Sequence, residues 1–228
     1  MKLHPRRVAA IGCLLVAIAV LPGAWNGGPA AEEAHGATAR PCPPANTAVV
    51  AAANRVRVFQ RGGGNIYACY RGSRRYTDLG LPPEVGFPDV ELPPRLRTAG
   101  RFVGYFYGIA GRSGTGGEVR VLDARSRRWI RLIREGDPDG RLTGSRSVEV
   151  SDLELRRTGS VAWISEVFVA GFPGSTFEVR RAASRSSRSR GRSELLDSGP
   201  DILPSSLTLS GTEISWQKGE ERRVAALP

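Results

Sequence analysis

Short apolar stretches, separated by clusters of glycine, serine, proline and arginine, make up most of the chain after residue 40. Their β-branched and aromatic content and their regular punctuation by turn-forming residues are typical of β-strands. No stretch beyond the N-terminus has the periodicity of an amphipathic helix of ordinary length. The sequence therefore predicts an all-β fold. The predicted strands are Ala48–Ala53, Val56–Phe59, Ile66–Tyr70, Phe102–Ile109, Glu118–Leu122, Trp129–Ile133, Val148–Leu155, Val161–Val169, Phe177–Arg180, Ser206–Leu209, Glu213–Gln217 and Arg223–Leu227.

The stretch Phe102–Ile109 carries apolar side chains on both of its faces. Val103 and Tyr105 lie on one side of the strand, and Phe102 and Phe106 lie on the other. A strand that is apolar on both faces must be covered on both. We therefore expect this strand in the middle of stacked sheets.

Three segments share one pattern, a turn glycine followed by a strand with a large aromatic residue. They are Ala99–Tyr105, Thr158–Trp163 and Ser210–Trp216. The segments Tyr67–Tyr76 and Val119–Trp129 share a second pattern, in which an alternating strand leads to a basic turn and then to an aromatic residue that opens the next strand. A period of roughly 40–60 residues with three or four strands per unit predicts propeller blades.

The N-terminus has the composition of an export signal. Lys2, Arg6 and Arg7 precede an uncharged apolar run, Val8–Leu21, which ends at Pro22. We assign residues 1–39 to a signal peptide and post-signal tail and residues 40–228 to a single β-repeat domain. An uncleaved membrane anchor is the alternative, although the run is shorter than the ~20 residues that a spanning helix prefers. Cleavage after Ala24, Ala30 or Ala39 is left open.

With this leader, the segments Tyr67–Tyr76, Val161–Ile164 and Leu203–Trp216 resemble secreted β-propeller-like repeat proteins of the WD40-like type, particularly those of GC-rich actinobacteria. The resemblance implies a scaffold or binding surface and assigns no active site. The expected fold is a propeller-like array of about four small antiparallel blades, with a β-sandwich as the alternative. We further expect the N-terminal strand Thr47–Ala53 to complete the last unit, for which only three strands are evident.

The cysteines are consistent with export. Cys13 lies within the leader, which leaves Cys42 and Cys69 as an even pair in an oxidising compartment. A Cys42–Cys69 disulfide is predicted, with two free buried thiols as the alternative.

Histidine is missing from residues 40–228, because His4 and His35 both precede them. A catalytic Ser-His-Asp or Cys-His arrangement, a zinc site of the usual histidine type and a histidine pH switch are therefore excluded from this part of the chain. The stretch Glu135–Gly140 resembles a calcium loop, but an Asp-Pro-Asp-Gly turn explains the same residues. We predict no metal site and no cofactor.

The chain is basic, with a net charge of +11, and its densest run of arginines lies in a segment rich in serine. Arg185, Arg188, Arg190 and Arg192 are predicted to bind polyanions weakly. The alternative is a solvated loop without a ligand. No nucleic acid is expected as a partner, because aromatic residues for base stacking are absent from the run and exported proteins rarely meet nucleic acid.

Carboxylates are the remaining groups that support hydrolysis without histidine. Asp152, Glu154 and Glu166 are the candidates, although the alternation of Asp152 and Glu154 with leucines predicts a solvated strand face. The predicted function is an exported, non-catalytic binding or scaffold module of unknown ligand, secreted or at the cell surface. Its expected partner is an unknown protein or an anionic cell-surface polymer, with membrane contact only through an uncleaved N-terminal segment. A carboxylate-based hydrolase acting on cell-surface polysaccharide is the alternative.

Overall fold

Every regular element of the described residues is a β-strand. The structure, a computed structural model, describes residues 42–61, 64–80, 95–111, 114–135, 146–169, 171, 173–184 and 192–228. Within these ranges no helix is suited to crossing a membrane. The prediction of an all-β protein is confirmed.

The strands form four antiparallel sheets, in each of which strands that are consecutive in the chain pair with one another. Sheet A contains β1 (Ala48–Ala53), β2 (Val56–Gln60), β3 (Ile66–Tyr70) and β4 (Tyr76–Asp78). Sheet B contains β5 (Arg97–Ala99), β6 (Phe102–Gly111), β7 (Gly114–Asp123) and β8 (Arg128–Glu135). Sheet C contains β9 (Arg146–Leu155), β10 (Val161–Val169), β11 (Ser175–Ala182) and β12 (Glu194–Gly199). Sheet D contains β13 (Thr208–Ser210), β14 (Glu213–Lys218) and β15 (Glu221–Ala226).

Successive sheets are joined face to face by three apolar cores. The first core lies between sheets A and B, the second between B and C, and the third between C and D. Strand β6 contributes to two of them, since Val103 and Tyr105 enter the first core whereas Phe102 and Phe106 enter the second. The prediction that this strand lies between stacked sheets is confirmed. Residues Ala39–Pro228 form one compact unit.

The first strands of the sheets (β1, β5, β9 and β13) are neighbours of one another in the order in which they occur in the chain. In sheets A, B and D the first strand turns into the second through two residues. The leading residue of each of these turns has a positive φ, 52° at Asn54, 62° at Gly100 and 59° at Gly211. Glycine and asparagine adopt this left-handed conformation at the lowest cost, which explains their presence in such tight hairpins.

The N-terminal strand does not complete sheet D, so that prediction is wrong. Strand β1 pairs with β2, with Ala53 opposite Val56, and sheet D keeps three strands. The physical reason is the two-residue turn that follows Ala53. Pairing across a tight turn closes a very short loop, whereas pairing with β15 would have to close a loop that spans most of the chain.

The disulfide prediction is confirmed. Cys42 is bonded to Cys69 of β3, with 6.0 Å between their Cα atoms. The bond ties the segment that precedes β1 to sheet A.

Candidate functional site

One end of the molecule collects turns from all four sheets. One pocket is lined by a residue at or next to the end of each of the four first strands, so these strands end on the same side; the residues are Ala53, Ala99, Leu155 and Leu209. Because antiparallel strands alternate in direction, the turns after the first and third strands of a sheet lie at the same end. We call this side of the molecule the basic end.

The basic end is rich in arginine because most of its turns carry one or more. The arginines in these turns or directly beside them are Arg55, Arg71, Arg74, Arg75, Arg101, Arg125, Arg127, Arg128, Arg156 and Arg157. They are contributed by sheets A, B and C. Acidic side chains at this end include Asp123 and Glu194, and each of them pairs with an arginine.

A pocket of about 850 Å³ opens at the basic end between sheets A, B and C. Arg55, Arg101 and Arg157 line it, together with the half-buried ring of Tyr70 and the carboxylate of Asp123. Its size falls within the usual range for ligand pockets, about 300–1,000 Å³. We call it the arginine pocket.

The arginines of this pocket differ in what they contact. Arg101 lies 3.2 Å from the buried carboxylate of Asp123 and 5.0 Å from the ring centre of Phe102. By contrast, within the described chain the exposed guanidinium groups of Arg55 and Arg157 have no hydrogen-bond or ion-pair partner. One arginine is therefore built into the fold, and two are left with their donors unused.

Asp123 is itself held in place by the turn that follows β7. Its Oδ1 accepts hydrogen bonds from the backbone N–H groups of Arg125 and Ser126. Asp123 is therefore committed to a turn and to Arg101, so it leaves the charges of Arg55 and Arg157 uncompensated.

The predicted polyanion-binding run falls largely outside the described residues. This holds for Arg185, Arg188 and Arg190, whereas Arg192 is described and is exposed. Ser184, which directly precedes the run, lines the arginine pocket.

Two of the three carboxylate candidates lie where sheets B and C meet. Asp152 and Glu154 of β9 lie on either side of Arg97 of β5, at 3.5 Å and 3.8 Å. Glu166 is on β10, opposite Glu149 in the strand register. The structure therefore brings Asp152 and Glu154 together through Arg97.

The expectation that Asp152 and Glu154 lie on a solvated strand face is wrong. Asp152 is buried, and its carboxylate accepts hydrogen bonds from the backbone N–H groups of Leu153 and Leu207. Burial raises the pKa of Asp152 and also that of Glu154, and Arg97 only partly offsets this effect. The reason is the neighbouring sheet D. Asp152 and Glu154 lie opposite Ile164 and Ala162 of β10, which pack in the third core, so this face of sheet C is turned toward sheet D and not toward water.

The predicted calcium-like stretch begins at Glu135, the last residue of β8, and continues outside the described residues. Among the described residues, no group of three or more potential ligand side chains is arranged to hold a metal ion.

Sequence reasoning missed most of the arginines of the basic end, because they are scattered along the chain. A signal was nevertheless present. Arg55 and Arg101 each hold the second position of a two-residue turn, and Arg157 lies in the corresponding longer turn between β9 and β10. An arginine that recurs after the first strand of successive units indicates a shared surface, once the units are known to point the same way.

The chain was also compared with known proteins. No protein-family model matches the sequence, and no curated protein matches it significantly.

Proposed function

We propose that this protein is an exported, non-catalytic binding module whose basic end binds an anionic cell-surface polymer. One observation carries the proposal: arginines from the turns of three sheets lie at one end, and Arg55 and Arg157 there have no partner within the described chain. Unpaired guanidinium groups are strong donors to carboxylate, sulfate and phosphate groups. A patch of this kind attracts and retains polyanions.

The spread of the arginines favours a polymer over a single small anion. Arg74 and Arg75 lie outside the arginine pocket, in the turn between β3 and β4, and Arg125 and Arg127 lie in the turn between β7 and β8. A small anion engages only the charges within its immediate reach. A polymer contacts several turns at once and releases counterions at each contact.

The expected architecture and compartment are consistent with this proposal. Four small sheets with their first strands side by side are compatible with a propeller-like array, as the resemblance to secreted WD40-like repeat proteins implies. The Cys42–Cys69 disulfide is compatible with an extracellular location.

The hydrolase alternative has weaker support. Both oxygens of Asp152 accept hydrogen bonds from the backbone, and Arg97 lies within 4 Å of both Asp152 and Glu154. Groups engaged in this way are typical of an ion-pair network that holds sheets together. We therefore favour binding over catalysis.

Heparin-affinity chromatography tests the proposal with two variants of equal charge. The basic-end variant carries Arg55→Gln, Arg75→Gln and Arg157→Gln, all exposed residues of the basic end. The control variant carries Arg61→Gln, Arg222→Gln and Arg223→Gln, which are exposed residues at or near the opposite end.

The basic-end variant is expected to elute at clearly lower salt than the wild-type protein, while the control elutes close to it. Equal shifts in the two variants would mean that only net charge matters, and the proposal would then fail. Thermal melting of both variants checks that each is folded.

A further inference from the structure

A second pocket adjoins the arginine pocket and has a different chemistry. It measures about 490 Å³ and lies where the first hairpins of all four sheets meet. Ala53, Ala99, Leu155 and Leu209 form much of its wall, and Thr98 adds a hydroxyl group. We call it the junction pocket.

The two pockets adjoin each other. Asn54, Gly100, Arg157 and Thr158 line both of them. A group held by Arg157 in the arginine pocket therefore lies beside the junction pocket.

The uncharged polar groups along this path suit hydroxyl groups. Asn54 offers an amide that both donates and accepts, and Thr98 offers a hydroxyl, whereas the hydroxyl of Thr158 is engaged with Ser160. The half-buried ring of Tyr70 adds an aromatic surface and a phenolic hydroxyl to the arginine pocket. Groups that donate and accept in this way match a polyhydroxylated unit, whereas bare phosphate offers them only acceptors.

We infer that the ligand is an anionic polysaccharide, bound with one acidic group at Arg55 and Arg157 and the adjoining sugar unit in the junction pocket. This inference rests on the proposed function and narrows it to one polymer class. The arginines supply attraction to any polyanion. Asn54 and Thr98 supply the preference for a sugar backbone.

The test compares a sulfated heparin oligosaccharide with a linear polyphosphate of equal charge number, each titrated calorimetrically at about 0.15 M salt. Neutral dextran oligosaccharide is the third probe. The wild-type protein is expected to bind the sulfated oligosaccharide about tenfold more tightly than the polyphosphate, because sugar hydroxyls both donate to and accept from Asn54 and Thr98, whereas phosphate only accepts. Dextran is expected to bind weakly, since it lacks the acidic group.

Two double variants separate the sugar preference from the charge attraction. Asn54→Gly with Thr98→Val removes an amide and a hydroxyl without changing the charge, and glycine retains the φ of 52° at position 54. This variant is expected to lose about tenfold in affinity for the oligosaccharide and none for polyphosphate. Arg55→Gln with Arg157→Gln is expected to weaken both ligands more than the charge-matched control Arg74→Gln with Arg75→Gln.

The outcomes distinguish the two proposals. If polyphosphate binds as tightly as the oligosaccharide and the neutral variant changes nothing, the sugar inference is overturned while polyanion binding stands. If substitution of neither arginine pair weakens binding, both the sugar inference and the proposed function are overturned. Circular dichroism melting confirms that each variant is folded before its affinities are compared.

Discussion

The two ends of the molecule differ in whether particular charged side chains are engaged by the fold. At the opposite end, Arg61 donates to the hydroxyl of Tyr76, and Lys218 forms an ion pair of 2.8 Å with Asp197. At the basic end, within the described chain, Arg55 and Arg157 have no such partner. Charges that are paired contribute to the fold, whereas charges left unpaired are available to a ligand.

This contrast separates stability from binding. Substitutions of residues whose contacts hold the sheets together are expected to change the free energy of unfolding without changing polyanion affinity. Substitutions of the unpaired arginines are expected to do the reverse, because exposed residues without partners contribute little to stability.

The largest expected effect on stability comes from the disulfide beside the basic end. Cys42→Ser with Cys69→Ser releases a constraint over a sequence separation of 27 residues. In the chain-entropy account this lowers the free energy of unfolding by about 3–4 kcal/mol. Urea titration of the variant and of the oxidised wild-type protein measures the loss.

Reductant supplies the control for this prediction. The double-serine variant is expected to be insensitive to it, whereas the wild-type protein is expected to lose a similar amount of stability when reduced. Heparin retention of the folded variant is expected to stay unchanged. A loss of retention in a variant that remains folded would show that the disulfide positions the binding surface.

The next largest expected effect on stability comes from a substitution in the turn that carries Arg157. Gly159 has a φ of 87°, and a Cβ added there would lie 2.6 Å from Cδ1 of Ile130 and 3.2 Å from the ring of Phe102. Gly159→Ala therefore combines left-handed strain with overpacking, and we expect a loss of about 2–3 kcal/mol.

Gly72 provides a matched control at the same end. It has the same φ of 87°, but an added Cβ would meet nothing within 4 Å. Gly72→Ala is expected to cost about 1 kcal/mol from strain alone. Equal losses in the two variants, measured by thermal melting, would contradict the packing argument and show that the Gly159 turn is not held by the core.

A smaller effect, dependent on pH, is expected at the opposite end. Burial alone would raise the pKa of Asp197, but hydrogen bonds from Lys218 and Trp216 outweigh it and lower the pKa. A carboxyl whose pKa is lowered by folding stabilises the protein above its unfolded pKa and loses that contribution as the pH falls through its folded pKa. Asp197→Asn is therefore expected to cost about 1–2 kcal/mol at neutral pH.

The difference between this variant and the wild-type protein is expected to shrink as the pH falls below about 4, the unperturbed value for aspartate. Denaturant titrations of both proteins at several pH values measure this difference in the free energy of unfolding. A difference that stays constant with pH would assign the effect to packing and not to the ion pair.

The smallest expected effect is on the salt dependence of binding. Each arginine that neutralises one anionic group contributes about one unit to the slope of log affinity against log salt concentration. Arg55→Gln with Arg157→Gln is expected to lower that slope by about two units. Arg222→Gln with Arg223→Gln at the opposite end is expected to leave it unchanged, and a comparable decrease there would remove the distinction between the two ends.

The sequence predicted the parts of the fold that depend on local pattern. The two apolar faces of Phe102–Ile109 identified the strand between two cores, and Cys42 and Cys69 identified the disulfide. Strand β12 was not predicted, because Glu194–Gly199 has no alternation of apolar and polar residues and pairs at a sheet edge, where burial leaves little trace in the sequence. The strands β4 and β5 were not predicted either, because each contains only three residues.

The sequence predicted the chemistry of the candidate site but not its position. The sequence pointed to arginine and polyanions, but it placed the site at Arg185–Arg192, where arginines are densest in the chain. The arginine pocket joins Arg55, Arg101 and Arg157, which are far apart in sequence. Their proximity depends on three sheets pointing the same way, and this is a property of the packed sheets that no single strand encodes.

The two-residue turns at Asn54, Gly100 and Gly211 also bear on how the surface of the basic end can be altered by substitution. In each turn the left-handed leading residue sets the backbone, so the side chain at the second position is not needed to shape the turn. Those second positions are Arg55, Arg101 and Thr212. Arg101 is already engaged by Asp123, so Arg55 and Thr212 are the positions at which a combinatorial library is a direct route to new ligand preferences on an unaltered scaffold.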